Sequence, residues 1–401
     1  MEHNFLPTCV DDVIKIVKRA NVENKRITVV SGGHSKYMMR DFPEPKSDDG
    51  NLIIIDVSNF KQILRVGEDR VLLEAGVIAG EIKQFNTSIT DYFCMYGECN
   101  TVGMGFWVNS LSGVSGISLC SSQFGYGCNY IRTINYVNSV GEYKTLTNKN
   151  SKEFQALTMI GGEFGIITSI EVEMIHTNNP KCIKAFIKMN GMGISDFVKK
   201  ILSTSYDGNV SIMYSIECRH NDLLCVIFTY FSNDINYPTT VFEDILKFTN
   251  IVIINMQTTT EDFSWVYVDK LKNSYREYDN MCRICDDTYK YIDELIGLMK
   301  STESIWIGIS NPRYIIQDYP NNYLYIAFVE PFTAAAAVKP LLDKYCPDNI
   351  KYLNIPMYGL ELKDYITSLS KMSLEELVDM KRILDPAQIF VTRYNLGSNC
   401  L

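Results

Sequence analysis

The 401-residue sequence contains no apolar stretch of the roughly 18 or more residues that a membrane-spanning helix needs. Its apolar runs are short, such as Leu52 to Ile55 and Leu223 to Phe231. The opening Met1-Glu2-His3-Asn4 has neither the basic nor the apolar region of a secretion signal, so a cytoplasmic protein is expected. Positive charge is in deficit: 38 Lys and Arg against 47 Asp and Glu give a formal charge of −9. That balance argues against nucleic acid or a membrane surface as partner and points to a small molecule. The 12 cysteines show no framework spacing, so free thiols in a reducing compartment are expected. The one CxxC, Cys282 to Cys285, has no second pair and no nearby His, and no metal site is assigned. There is no tandem repeat and no low-complexity segment.

What is present is a globular composition, 46% hydrophobic and 21% charged, over a length that suggests two domains at about 150 residues each. Val10, Val13, Ile14 and Val17 keep the spacing of an amphipathic helix, and Ile27 to Val30 form a β-branched run that ends in Ser31-Gly32-Gly33-His34-Ser35. Leu52 to Val57 and Arg70 to Glu74 read as further strands, and Ala79 to Phe85 as a helix. From Thr101 to Gly127 the chain carries six glycines among small and polar residues, too many for a regular helix, which suggests backbone lying against something flat. Ile134 to Val140, Gly141 and Tyr143 to Leu146 read as a hairpin, and Gly161 to Met174 as a glycine turn feeding a strand from Ile166.

Between about 180 and 345 the character changes. Strand-like runs at Cys182 to Met189, Val210 to Glu217, Leu223 to Phe231 and Tyr323 to Phe328 alternate with helical stretches such as Ile194 to Leu202 and Thr240 to Phe248. An antiparallel sheet with helices on one face follows, a second α+β domain. Near the C-terminus Ser373 and Glu376 make a capping box, Leu374, Leu377, Val378 and Leu384 form an apolar stripe, and Pro386 ends the helix.

A strand running into Gly32-Gly33 exposes successive backbone N–H groups that can surround a phosphate oxygen. It is not a dinucleotide fingerprint, because the third glycine is missing and the chain continues into Pro43 and Pro45 instead of a helix. By itself a Gly-Gly pair is more often just a turn, and a lone His such as His34 more often a satisfied polar residue than a reacting one.

The order of the motifs, however, resembles the FAD-binding domain of the vanillyl-alcohol-oxidase and p-cresol-methylhydroxylase (PCMH) superfamily, in its berberine-bridge-enzyme-like branch. The segments that carry the resemblance are Pro7 with Asp12-Val13 and the strand into SGGHS, NLIIIDVSNF at 51 to 60, LLEAGV within 70 to 77, Gly97 to Gly105, GGEFGIITSI within 154 to 170, and MKRILDPAQIF ending at Phe390. It covers about residues 7 to 178 and 350 to 395. The implied fold is α+β: an FAD-binding domain at 1–178, an antiparallel-sheet substrate domain with helices on one face at 179–345, and a C-terminal return to the first domain at 346–401.

The resemblance implies cofactor contacts from Ser31, Gly32, Gly33, His34, Ser35, Cys99, Thr101, Val102, Gly103, Gly105, Gly113, Gly116, Gly162, Gly165, Ile166 and Asn354. It further implies two covalent bonds to the flavin ring, His34 to the ring methyl carbon and Cys99 to the ring itself. An imidazole and a thiolate are suitable nucleophiles for an electron-poor ring. Tyr352, in Tyr352-Leu353-Asn354, is the candidate catalytic residue by the same likeness, and packing is its alternative. The implied activity is an FAD-linked oxidase or dehydrogenase acting on a CH–OH group of a carbohydrate-like or other small polar molecule, with hydride passing to flavin N5 and electrons to O₂. The chain departs from the branch at Val30, where Arg is usual, and at Asn129-Tyr130, where Asp-Asn is common. Those departures motivate the alternative of a scaffold that keeps the fold and has lost turnover.

Overall fold

The computed structural model describes residues 4–32, 51–97, 100–111, 113, 115, 116, 118, 121–176, 362–366, 370–392 and 396–397, with positions 196 and 293–294 and, as backbone, the strands between 181 and 328. The chain starts with a short strand, β1 (Asn4–Phe5), and helix α1 (Val10–Glu23). Helix α1 buries Val13, Ile16, Val17 and Ala20, a stripe at helical spacing in which each fully covered Val or Ile contributes about 1.5–3 kcal/mol. Asp11 and Asp12 lie in its first turn, where the helix dipole favours negative charge. The C-cap, Asn24, adopts φ +52°, a left-handed conformation to which Asn is among the best-suited non-glycine residues.

Strands β2 (Arg26–Val30) and β3 (Leu52–Asp56) pair in parallel, and β1 joins the far edge of β3. Next to this sheet stands an antiparallel one of order β4-β5-β9-β7-β8, built from β4 (Ile63–Val66), β5 (Arg70–Glu74), β7 (Ile131–Val137), β8 (Tyr143–Leu146) and β9 (Ile166–Glu173). Gly67 at φ +76° and Gly141 at φ +75° turn its two hairpins. A small antiparallel pair links β6 (Tyr92–Phe93) to β10 (Ile175–His176). One face of the five-stranded sheet carries Ile134, Tyr136, Ile170, Val172, Val71 and Leu73 into the core. The other presents a hydrogen-bonded polar row in which Thr145 donates to Asn135 and Asn135 to Ser169.

Residues 181–328 contribute one seven-stranded, wholly antiparallel sheet: β14 (Ile251–Thr259), β11 (Lys181–Met189), β13 (Asp222–Phe231), β12 (Val210–Arg219), β16 (Ile305–Ser310), β17 (Tyr323–Phe328) and β15 (Asn280–Ile284), in that spatial order. The expected antiparallel sheet is therefore present. It is wider than read, because β14, β15 and β16 carry no alternation strong enough to announce them. The helix expected at 240–248 lies outside the described residues, as does that at 194–202 except for position 196, which is helical. Among the described residues no helix is long and apolar enough to cross a membrane, and no group of three or more His, Cys, Asp or Glu is placed to hold a metal.

Two stretches differ from the sequence reading. The glycine-rich stretch contains two single-turn helices, α3 (Gly105–Val108) and α4 (Ser121–Phe124), and a 3₁₀ turn at Gly127–Tyr130. Helix α5 (Lys152–Ile160) follows Ser151, whose Oγ accepts the Phe154 N–H. The C-terminal helix α6 (Leu374–Leu384) has the expected capping box at Ser373 and Glu376. The chain beyond it returns to the parallel sheet: Phe390 bridges Ile27 in parallel, with Ile27 N donating to Ile389 O at 2.6 Å and Val391 N to Ile27 O at 2.9 Å. Residues 389–391 therefore lie on the parallel sheet as one more strand-like segment beside β2.

Candidate functional site

Strand β2 delivers Ser31 and Gly32 to the end of the parallel sheet, and there the chain meets a second glycine turn. A Cβ on Gly32 would lie 2.4 Å from the Thr101 carbonyl oxygen and 2.9 Å from Gly103 N. A Cβ on Gly103 would lie 2.6 Å from both Gly32 N and Ser31 Oγ. Real side chains do not approach that closely, so the two turns cross backbone against backbone because both crossing residues are glycine. Ser31 locks the crossing: its Oγ donates to Ala75 O at 2.5 Å and accepts Met104 N at 3.2 Å.

The second turn is fixed from behind. Helix α2 (Ala79–Asn86) points its first N–H groups at it, Ala79 N donating to Val102 O at 2.8 Å and Gly80 N to Asn100 O at 3.0 Å. Donors that a helix start would otherwise leave unsatisfied thus hold the carbonyls of residues 100–102. Gly76, just after β5, repeats the theme, since its Cβ would fall 2.2 Å from Val57 O. Gly76 thus presses on residues 57–60, and the Ser31 hydroxyl joins this contact to the crossing of Gly32 with Gly103. Of the residues singled out in the sequence, Ser31, Gly32, Thr101, Val102 and Gly103 converge here; the Ala75-Gly76 turn, legible in the sequence as the stop of the third strand, is beside them without having been assigned to the site.

Further along, Gly105 opens α3, and Ser115 Oγ donates to Phe106 O at 2.7 Å. Gly113 and Gly116 both take φ +81°. A Cβ on Gly116 would lie 2.5 Å from Gly127 N, which donates to Gly116 O at 3.0 Å. Gly116 is thus explained by a second backbone crossing, within the loop itself. Ser110 ties this loop to α5, its N and Oγ both donating to Thr158 O. After α5 come Gly162, whose Cβ would meet Thr392 Cγ2 at 3.0 Å, and Gly165, whose Cβ would meet the Tyr136 ring at 2.5 Å. Ile166 is fully buried in the core. Gly33, His34, Ser35, Cys99, Tyr352 and Asn354 lie outside the described residues.

Burial drives up the pKa of the Cys94 and Cys128 thiols. Both stay protonated and inert at neutral pH, which leaves them as packing residues. Tyr136, whose phenol donates to Glu153, is likewise held well above its ordinary range, first by burial and then by that carboxylate.

Backbone from both glycine turns thus meets at the end of the parallel strand β2. Residues 2–147 match the family model described as FAD binding domain. Among curated proteins, the chain is 23% identical over 174 residues to L-gulonolactone oxidase from Scyliorhinus torazame (43% of this chain, 37% of that one). It is 28% identical over 200 residues to D-arabinono-1,4-lactone oxidase from Candida glabrata (47% of this chain, 34% of that one). The aligned stretches span about a third of those relatives' lengths. Berberine bridge enzyme from Eschscholzia californica superposes with TM-score 0.76 over 98% of this chain and 89% of that one, at 13% identity. Chitooligosaccharide oxidase gives 0.72 over 98% and 90%, at 14%.

The chain therefore has the fold of berberine bridge enzyme, and its residues 2–147 match an FAD binding domain, as the order of motifs implied.

Proposed function

We propose that the protein is an FAD-dependent oxidoreductase that oxidises a CH–OH carbon of a small, polar, carbohydrate- or lactone-like molecule and passes the electrons to O₂. The observation that carries this reading is the crossing of Ser31-Gly32 with Thr101–Gly103 inside the segment that matches an FAD binding domain. The residues present fit the cofactor: glycine turns bare of side chains leave backbone as the lining, and backbone N–H groups suit the oxygens of a pyrophosphate. The names of the similar proteins, lactone oxidases among sequences and a chitooligosaccharide oxidase among structures, support the substrate class.

When bound, FAD supplies a two-electron acceptor for hydride. The chain's own part is to hold it and to place a base. His34 and Cys99 are proposed to bond the flavin ring, which would prevent cofactor loss. Tyr352 is proposed as the group that takes the substrate hydroxyl proton, with Asn354 beside the flavin. The domain division at 1–178, 179–345 and 346–401 and a cytoplasmic location belong to the same proposal.

Purified protein tests it directly. A yellow protein whose flavin bleaches anaerobically with sugars, lactones or alcohols supports the reading, whereas colourless protein that takes up no added FAD refutes it. Denaturation in acid or urea then reads the bonds: chromophore retained on the chain, with a mass gain of one FAD, is expected. His34→Ala and Cys99→Ala should each keep it through the remaining bond, and the double variant should release it. Wild-type protein that releases all of its FAD would remove the covalent claim and leave the cofactor in place.

A further inference from the structure

Three charged side chains far from the glycine crossing are buried together. Glu163 and Asp385 are 0% exposed and Lys381 is 3% exposed, with Lys381 Nζ at 2.9 Å from Asp385 Oδ2 and 3.3 Å from Glu163 Oε2. The ammonium also donates to Glu163 O at 2.6 Å and Phe390 O at 2.5 Å. Asp385 accepts the N–H groups of Ile389 at 3.0 Å and Phe390 at 2.9 Å. Glu163 Oε1 accepts Thr392 N at 2.8 Å and the Thr392 hydroxyl. Arg382, the next residue on the same helix, spends its charge at the surface with Asp379.

A buried ion cluster is a poor source of stability, because desolvation offsets the attraction and apolar replacements are often neutral or better. What it does supply is direction, and here each bond fixes backbone. The cluster grips the Gly161–Glu163 turn at one end. At the other it grips residues 389–392, which lie hydrogen-bonded along Ile27 of β2. Four residues beyond Ile27 the same strand ends in Ser31-Gly32. A Cβ on Gly162 would lie 3.0 Å from Thr392 Cγ2, so the glycine lets the Thr392 side chain pack close against the gripped turn.

We propose that Glu163, Lys381 and Asp385 form a positioning clasp that fixes the Gly161–Glu163 turn against residues 389–392 and, through their hydrogen bonds to Ile27, the strand that delivers Ser31-Gly32, and with it the fit of the cofactor at that turn. The second half of that statement rests on the FAD reading; the first half does not. Hydrogen exchange separates the two. Lys381→Met alone leaves two buried carboxylates without a counter-charge and is expected to fold poorly. The informative variant is the uncharged triple Lys381→Met, Glu163→Gln, Asp385→Asn, whose Gln oxygen can still accept the Thr392 N–H and whose Asn oxygen can still accept the Ile389 N–H, while the Phe390 N–H loses its carboxylate acceptor. Its melting temperature is expected to fall, because the Glu163 and Phe390 carbonyls lose the ammonium donor and the Phe390 N–H its acceptor. The amides of residues 27–32 and 389–392 should exchange at least about tenfold faster while β7 and β9 keep their protection. FAD dissociation should rise by about tenfold or more, with a changed visible circular dichroism of the flavin. Glu163→Gln alone keeps the Lys381–Asp385 pair and the Thr392 bonds, and should behave as wild type.

Unchanged exchange at residues 27–32 in a folded triple variant would overturn the clasp. So would exchange and flavin loss that rise uniformly over the chain in proportion to lost stability. Faster local exchange in a protein that never takes up FAD would uphold the clasp and refute the cofactor reading instead.

Discussion

Replacing Gly32 by Ala tests the crossing of the two glycine turns most directly. The new Cβ would stand 2.4 Å from Thr101 O, 2.9 Å from Gly103 N and 3.1 Å from Gly103 Cα. Every one of these is a backbone atom, so no side chain can rotate out of the way. Overpacking of this kind costs about 1–3 kcal/mol, and the rigidity of the surroundings places Gly32 at the upper end. For a domain of this size that is a fall of roughly 6–12 °C in melting temperature, and bound flavin per chain should fall with it. Gly103→Ala meets the same crossing from the other side, through Gly32 N and Ser31 Oγ at 2.6 Å. One forced separation of the turns then relieves most of the second clash. The double variant should lose about as much as either single one, a coupling of up to about 3 kcal/mol. Gly67→Ala is the control: it carries strain at φ +76° with no atom within 4 Å, so it should cost about 1–2 kcal/mol and keep its flavin. Thermal unfolding and flavin absorbance measure all four proteins. Additive losses at 32 and 103, or a Gly32→Ala protein with wild-type stability and flavin, would refute the crossing.

Gly33→Val should remove FAD from soluble protein, because a branched side chain beside the crossing blocks close approach of the backbone to a pyrophosphate; normal flavin content would take this turn out of the site. Tyr136→Phe leaves Glu153 without its phenol donor and should cost about 1–3 kcal/mol in urea unfolding, with no effect on the flavin spectrum. Glu376 is held below its ordinary 4.5, first by the Ser373 N–H and then by Lys152. Its contribution is therefore present above pH 4.5 and is lost as pH falls through the lowered folded value. A melting-temperature profile should show an acid limb that Glu376→Gln flattens.

The first half of the fold was legible because its elements state themselves locally. Helix α1 shows one clean stripe, β2 and β3 are β-branched runs closed by turns, and α6 opens with a complete capping box. Helix α5 escaped because Phe154, Ala156, Leu157, Thr158, Met159 and Ile160 are all buried, and a helix covered on nearly every side has no apolar face for periodicity to find. Helices α3 and α4 are four residues long, shorter than any period that could reveal them. The site divides in the same way. That Gly32 and Gly103 matter was readable from strand-to-glycine turns and from their order along the chain. That they touch was not, since nothing local to either position encodes the other. Lys381 was least legible of all: a lysine amid charged helix neighbours reads as a solvated face, and only the return of residues 389–392 onto β2 buries it. The chemistry most open to sequence reading is thus the kind that requires glycine, because the backbone demand is local. The chemistry that escapes is the kind in which an ordinary charged residue acquires its role from what packs over it.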